Sequence, residues 1–199
     1  PVEEPLMQAV ILSIGSELVS GLRLDTHARD VAQTLAEFGI EVHRHETLDD
    51  RTELIASAFR RAAEEADVVI ATGGLGPTRD DVTRDALAEA MAVGLVEHLE
   101  AARQLEQWAA RRNRTLSHSN RRQAMLPDGA EPITNDEGSA PGIAVTLNGA
   151  IIYCLPGVPG EMRAMLAGFV APRLQARAGQ RVRVVRTVRT FGMPESELG

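Results

Sequence analysis

The chain has 199 residues, 44% of them hydrophobic and only 3% aromatic, and a net charge of −7. That length suits one large domain whose core is built from Ala, Val, Leu, Ile and Met, and the composition excludes wholesale disorder. The acidic balance argues against a nucleic-acid partner, which needs a basic face. The sequence contains no lysine, which excludes a Walker-A loop, a Schiff-base lysine and a lysine general base, and leaves arginine for any cationic contact to phosphate.

Residues 1–8 read as a disordered leader, with Pro1–Met7 lacking the layout of a signal peptide. Val10–Ile14 is an apolar run ending at Gly15 and reads as a buried strand. Asp25 or Thr26 can cap a helix carrying Ala28, Val31, Ala32, Leu35 and Phe38, which Gly39 stops. Ile40 and Val42 alternate with Glu41 and His43 as a second strand. Asp50, with Glu53 three residues later, resembles a capping box for a helix bearing Leu54, Ile55, Ala58, Phe59 and Ala62. Val68–Ala71 is a third strand, followed by the glycine-rich loop Thr72–Asp81 and a helix from about Asp81 to Met91. A further helix, from about Glu97 to Arg112, carries Leu99, Ala102, Leu105 and Ala109.

Alternation of this kind implies parallel strands with helices on both faces. The last third differs. Gly142–Leu147, Asn148-Gly149 and Ala150–Leu155 read as a hairpin with a tight turn. A helix through Leu174 and a final strand over Arg181–Phe191 follow. The fold class is α/β, three layers around a mostly parallel, mixed sheet. Residues 9–178 form the domain, and 179–199 hold the final strand and the start of a following segment. Cys154 is the sole cysteine, which rules out an internal disulfide and fits the reducing cytoplasm. No apolar run approaches the roughly 20 residues of a membrane span.

Ligands of open parallel sheets bind beyond the carboxyl ends of the strands. Ser13–Glu17, Asp49-Asp50, Thr72–Asp81 and Leu155–Glu161 should therefore meet. Gly73, Gly74 and Gly76 let backbone amides approach a ligand without Cβ atoms in the way. The helix that follows favours an anion at its start. The plainer alternative is a strand-to-helix turn with Asp80 or Asp81 as its cap. Beyond a cap, two carboxylates beside a phosphate need a cation between them, which points to a hard divalent ion. Asp49 carries the same ambiguity. His43 and His45 share a strand face and read as a surface pair rather than a metal site.

Thr72-Gly73-Gly74-Leu75-Gly76-Pro77-Thr78-Arg79-Asp80-Asp81-Val82-Thr83 resembles the signature of the molybdopterin-binding-like fold family. Its Leu75-Gly76-Pro77-Thr78 form with paired aspartates resembles the N-terminal domain of CinA (competence/damage-inducible) proteins. Ile14-Gly15-Ser16-Glu17-Leu18, Asp25-Thr26-His27-Ala28, Asn120-Arg121-Arg122-Gln123-Ala124, Gly138-Ser139-Ala140-Pro141-Gly142 and Leu155-Pro156-Gly157-Val158-Pro159-Gly160-Glu161-Met162 resemble further blocks of that family. His27 stands where the family usually has asparagine, and Asp136 where it often has proline. Gly192-Met193-Pro194-Glu195-Ser196-Glu197 resembles the start of the segment after the family's first domain.

The resemblance implies a homo-oligomer, dimer or trimer, that binds a small phosphorylated ligand, nucleotide or pterin. It also implies hydrolysis of ADP-ribose with a divalent ion, Mg²⁺, Mn²⁺ or Co²⁺. On that reading Asp80, Asp81 and Glu161 are the catalytic candidates, and Asp80, Asp81 and Asp49 the metal ligands. Gly15, Ser16, Glu17, Thr72, Gly73, Gly74, Gly76, Thr78, Asn120, Arg121, Pro156 and Gly157 contact the ligand. A pterin-binding domain without hydrolase activity and an oligomerisation module are the alternatives.

Overall fold

The computed structural model describes residues 6–178. The strand expected over Arg181–Phe191 and the segment Gly192–Glu197 lie outside the described residues, as does most of the expected leader. The elements in chain order are β1 (Gln8–Ile14), α1 (Ser16–Val19), α2 (His27–Glu37), β2 (Glu41–Leu48), α3 (Thr52–Glu65), β3 (Val68–Thr72), α4 (Thr83–Met91), β4 (Leu95–Glu97) and α5 (Leu99–Arg111). Then come α6 (His118–Arg121), β5 (Met125–Pro127), β6 (Glu131–Ile133), β7 (Gly142–Leu147), β8 (Ala150–Leu155), α7 (Pro159–Met165) and α8 (Ala171–Ala178).

Among the described residues the main sheet runs β2-β1-β3-β8-β7-β6. β1 pairs in parallel with β2 and β3, and β3 with β8, while β7 runs antiparallel to β8 and to β6. The expected mixed, mostly parallel sheet is what forms. β4 and β5 make a separate two-stranded ribbon. These short strands, β6, and the single-turn α1 had no sequence signal of their own.

Both sheet faces are buried, so the central strands read as continuous apolar runs. Alternation along them divides the core in two. Val10, Leu12, Val69, Ala71, Ile152 and Cys154 pack on one side with Ile55, Phe59 and Leu87 of α3 and α4. Ala9, Ile11, Val68, Ile70, Tyr153 and Leu155 pack on the other with Val31, Leu35, Met162, Met165 and Leu174 of α2, α7 and α8. Burial pushes the Cys154 thiol well above its ordinary value, as expected for an inert core thiol.

The expected helix boundaries hold to within a few residues, but some details differ. Leu54 is 42% and Leu99 64% exposed, so neither belongs to the core. Asp25 does cap α2, accepting from the Ala28 N–H at 3.0 Å. Asp50 does not cap α3: the residue before its first turn is Arg51, with no side-chain cap bond. α4 starts at Thr83 rather than Asp81, and neither Asp80 nor Asp81 caps it. The Asn148-Gly149 turn forms as expected, with both residues at positive φ. Among the described residues no helix is long and apolar enough to cross a membrane.

Candidate functional site

β1 has β2 on one side and β3 on the other, so the crossover from β1 to β2 and the next one, from β2 to β3, run in opposite directions. A crevice opens at the carboxyl ends of strands where the winding reverses in this way. Here it is a cleft of about 1020 Å³, ample for a small molecule. Its wall takes residues from all four loops that the sequence places there: Ile14–Leu18, Asp50, Thr72–Leu75 with Asp80 and Asp81, and Gly157–Pro159. The stretch Leu22–His27 completes it.

The glycine loop owes its shape to the first turn of α4. Thr83 Oγ1 donates to the Gly73 carbonyl at 2.9 Å, and the Thr83 N–H to the Gly74 carbonyl at 3.2 Å. Arg84 Nη1 donates to the Leu75 carbonyl at 2.5 Å and Nη2 to the Gly76 carbonyl at 2.9 Å. Four successive carbonyls are thus tied inward. In a trans peptide the N–H points opposite to the carbonyl, so the amides of Gly74, Leu75 and Gly76 point away from α4. Among the described residues these three amides donate to no backbone carbonyl. Gly73 and Gly74 have φ +103° and +64°. A Cβ at Gly73 would collide with the Ile14 carbonyl oxygen, and one at Gly74 with Thr83 Oγ1. At the helix start the Thr83 N–H is spent on the Gly74 carbonyl, and no residue of the first turn of α4 lines the cleft.

Beside this loop the cleft is acidic. Among the described residues, Glu17, Asp25, Asp50, Asp80 and Asp81 line it against a single arginine, Arg23. Asp81 Oδ2 closes its own loop, accepting from the Thr78 N–H at 2.8 Å and from Thr78 Oγ1 at 2.6 Å. Ser16 binds the next loop: its N–H donates to Asp50 Oδ2 at 2.8 Å. Ser16 Oγ lies 2.5 Å from Asp49 Oδ1 and 2.7 Å from Asp50 Oδ2. These bonds take Asp50 away from α3. The Ser16 hydroxyl holds the Asp49 carboxyl below the usual carboxylate range.

Behind the cleft, His45 Nε2 of β2 lies 3.0 Å from Ser13 Oγ and 3.1 Å from Asp25 Oδ2. One ring nitrogen faces both partners, so this is no serine–histidine–aspartate relay, which needs both nitrogens. Burial alone would raise the Asp25 pKa. Bonds from Ser13 and the Ala28 N–H, with His45 and His27 nearby, outweigh it and hold the carboxyl below its ordinary value.

Of the residues that the sequence nominates, Gly15, Ser16, Glu17, Thr72, Gly73, Gly74, Asp80, Asp81 and Gly157 line the cleft. Gly76 and Thr78 belong to the loop without lining it, and Pro156 is buried beneath. Four others stand elsewhere. Asp49 is turned onto Ser16 and does not line the cleft. Glu161 accepts from Asn135 Nδ2 at 2.7 Å and packs on Gly138, where it braces the loop before β7. Asn120 spends its carboxamide oxygen on Ser117, as part of a capping box for α6. Arg121 is exposed on that same turn. Local capping and loop packing claim Asp49, Glu161 and Asn120, a use that a motif match does not distinguish from ligand contact. Sequence reasoning gave no role to Thr83, the last residue of the signature, or to Arg84 just beyond it, yet these two hold the loop's carbonyls. A threonine at a helix start signals only a cap, and nothing in sequence marks a buried arginine.

Among the described residues no three His, Cys, Asp or Glu side chains assemble as a ready metal cage. The carboxylates that line the cleft are hard oxygen donors, the kind that would suit an ion such as Mg²⁺, which takes one or two carboxylates and keeps several waters.

Comparison with known proteins accords with this geometry. Residues 10–176 match the family described as "Probable molybdopterin binding domain". A CinA-like protein from Desulfosudis oleivorans is 41% identical over 195 residues, covering 97% of this chain and 47% of that protein. One from Gemmatimonas aurantiaca is 43% identical, covering 96% and 46%. The chain therefore spans about half the length of these relatives. The crystal structure of the protein CinA from Thermoplasma acidophilum superposes with a TM-score of 0.78 at 31% identity, over 83% of this chain and 98% of that one. A molybdopterin biosynthesis protein from Mycobacterium abscessus shares the fold, with a TM-score of 0.59 at 19% identity over 87% and 95%. The chain belongs to the probable molybdopterin binding domain family and is a CinA-like member of it.

Proposed function

We propose that the cleft binds a small molecule bearing phosphate, a nucleotide diphosphate or a phosphorylated pterin, with its phosphate on the amides of Gly74, Leu75 and Gly76. The observation that carries this reading is the inward tie of the Gly73–Gly76 carbonyls, which leaves those amides without backbone acceptors among the described residues. Such a row of amides is an anion site. The relatives named for molybdopterin biosynthesis lend support to the pterin.

A second reading, hydrolysis of a diphosphate such as ADP-ribose, is favoured by the carboxylates of Asp50, Asp80 and Asp81 on the same wall. An anionic ligand would be repelled there without a counter-charge. One or two of these carboxylates, Asp80 and Asp81 of the glycine loop or Asp50 across the cleft, would hold a divalent ion together with ligand phosphate and water; when bound, such an ion neutralises phosphate charge and lowers the pKa of its water. Thr78 keeps Asp81 oriented for that task, and the Ser16 clamp does the same for Asp50.

Calorimetric titration with ADP-ribose and with a pterin phosphate, each with and without Mg²⁺, tests the binding. Saturable binding of either, lost in Gly74→Ala, is expected. A folded protein that binds neither overturns the proposal. Release of AMP from ADP-ribose with Mg²⁺, Mn²⁺ or Co²⁺, abolished by Asp80→Asn, selects hydrolysis over binding alone.

A further inference from the structure

Arg84 heads the largest fully buried side chains of the described residues. Burying a cation is costly unless it is well partnered. Its nearest acidic neighbours are engaged elsewhere: Arg122 Nη2 takes Asp85 at 2.8 Å, and Asp81 closes onto Thr78. The guanidinium gives its charge instead to the carbonyls of Leu75 and Gly76. Burial draws its pKa down while Asp81 and Asp85 oppose that, and arginine keeps its proton in proteins. A permanent cation therefore stands behind the loop.

The geometry points to Arg84 as the positioning residue of the phosphate loop, its buried cation drawing the Leu75 and Gly76 carbonyls inward so that the Gly76 N–H is presented to an anion and the turn into Pro77 is held. This rests on the reading of Gly73–Gly76 as the phosphate site. The Leu75 carbonyl and the Gly76 N–H belong to one peptide, so a charged donor on the carbonyl strengthens the N–H as a donor. Arg84 touches no ligand; it acts through the backbone. Thr83 serves the preceding carbonyls as a neutral counterpart. Lysine cannot replace it fully, because a single ammonium lacks the fork that spans two carbonyls.

The test compares Arg84→Met and Arg84→Lys with the parent chain. Hydrogen exchange at 73–78 is read without ligand at the two loop amides that have acceptors, Gly73 on the Leu155 carbonyl and Thr78 on Asp81 Oδ2, and affinity for ADP-ribose with Mg²⁺ is read by calorimetry. Arg84→Met is expected to speed exchange at 73–78 by about tenfold or more and to weaken binding similarly, with β1 and β3 still protected. Arg84→Lys should restore part of both. Arg60→Met, which removes an exposed cation from α3, should change neither. Unchanged exchange at 73–78 in folded Arg84→Met overturns the assignment. Loss of protection in β1 and β3 marks that variant as unfolded, and Arg84→Lys then decides: parent-like exchange at 73–78 overturns the assignment, and faster exchange there alone upholds it. If the parent chain binds no ADP-ribose or pterin phosphate, the phosphate reading falls, and the exchange data still judge what Arg84 does to the loop.

Discussion

Thr83 holds Gly74 from two sides: its N–H donates to the Gly74 carbonyl at 3.2 Å, and its Oγ1 fills the space that a Gly74 Cβ would need. At φ +64° an L side chain costs about 1–2 kcal/mol before any clash is counted. Gly74→Ala is therefore expected to lower the melting temperature by several degrees, since about 1 kcal/mol shifts a domain of this size by roughly 2–4 °C. It should also abolish phosphate binding. Melting followed by circular dichroism, beside calorimetry with ADP-ribose, checks both. A variant with parent-like affinity would show that the loop's shape is not what binds.

Asp81 has two separable duties. Oδ2 fastens the loop through Thr78, and the carboxylate charge faces the acidic cleft. Asp81→Asn keeps an acceptor oxygen for Thr78 but loses the charge. Asp81→Ala loses both, leaving the Thr78 donors to water. The asparagine variant should fold and melt like the parent while its Mg²⁺ requirement shifts to at least about tenfold higher concentration, as removal of one hard ligand implies. The alanine variant should lose stability by about 1–2 kcal/mol as well. Magnesium titrations of ADP-ribose binding distinguish the two. An unaltered Mg²⁺ dependence in Asp81→Asn would remove Asp81 from any metal role.

The parallel core was legible because its signals are local. Val10–Ile14, Val68–Ala71 and Ala150–Leu155 are apolar runs bounded by glycine, aspartate or proline, and the helices between them keep a 3.6-residue period. From that order alone, the meeting of Gly15, Asp50, Gly73 and Gly157 at one cleft follows. What sequence could not supply is the choice among partners for a polar side chain. Asp50 could cap α3 or reach Ser16, and the distant partner wins because α1 lies over the end of β2. Glu161 and Asn120 sit in conspicuous motif blocks but serve loops that only the folded chain brings to them. β4, β5 and β6 are too short to establish a period, so their pairing is set by tertiary contact.

Glu161 gives a direct check on that distinction. Its carboxylate accepts from Asn135 Nδ2, whose other acceptor is the Ala140 carbonyl at 2.7 Å. Asn135 Oδ1 in turn receives the N–H groups of Glu137 and Gly138. Removing Glu161 leaves one buried amide proton without a strong acceptor, at a cost of about 1–3 kcal/mol. Glu161→Ala should therefore melt lower and show faster hydrogen exchange at 135–141. A loss of turnover or affinity with no change in melting or exchange would return Glu161 to the chemistry.

His27 and Asp25, adjacent on the cleft wall, make stability fall with acid in two steps. Burial holds the His27 pKa below its ordinary value of 6.5, with Asp25 and Asp30 opposing. The folded state thus takes up a proton less readily than the unfolded chain. Where the unfolded state binds more protons, stability rises with pH. The contribution of His27 is then complete above about pH 6.5 and is lost as pH falls through the lower, folded value. Asp25 is also depressed, so its contribution survives to lower pH and is lost only below about 3.8. Melting curves from pH 8 to 3 should show a first decline starting near pH 6.5, absent from His27→Gln, and a second in the carboxylate range, reduced in Asp25→Asn. A first decline of the same size in His27→Gln would remove the assignment to His27.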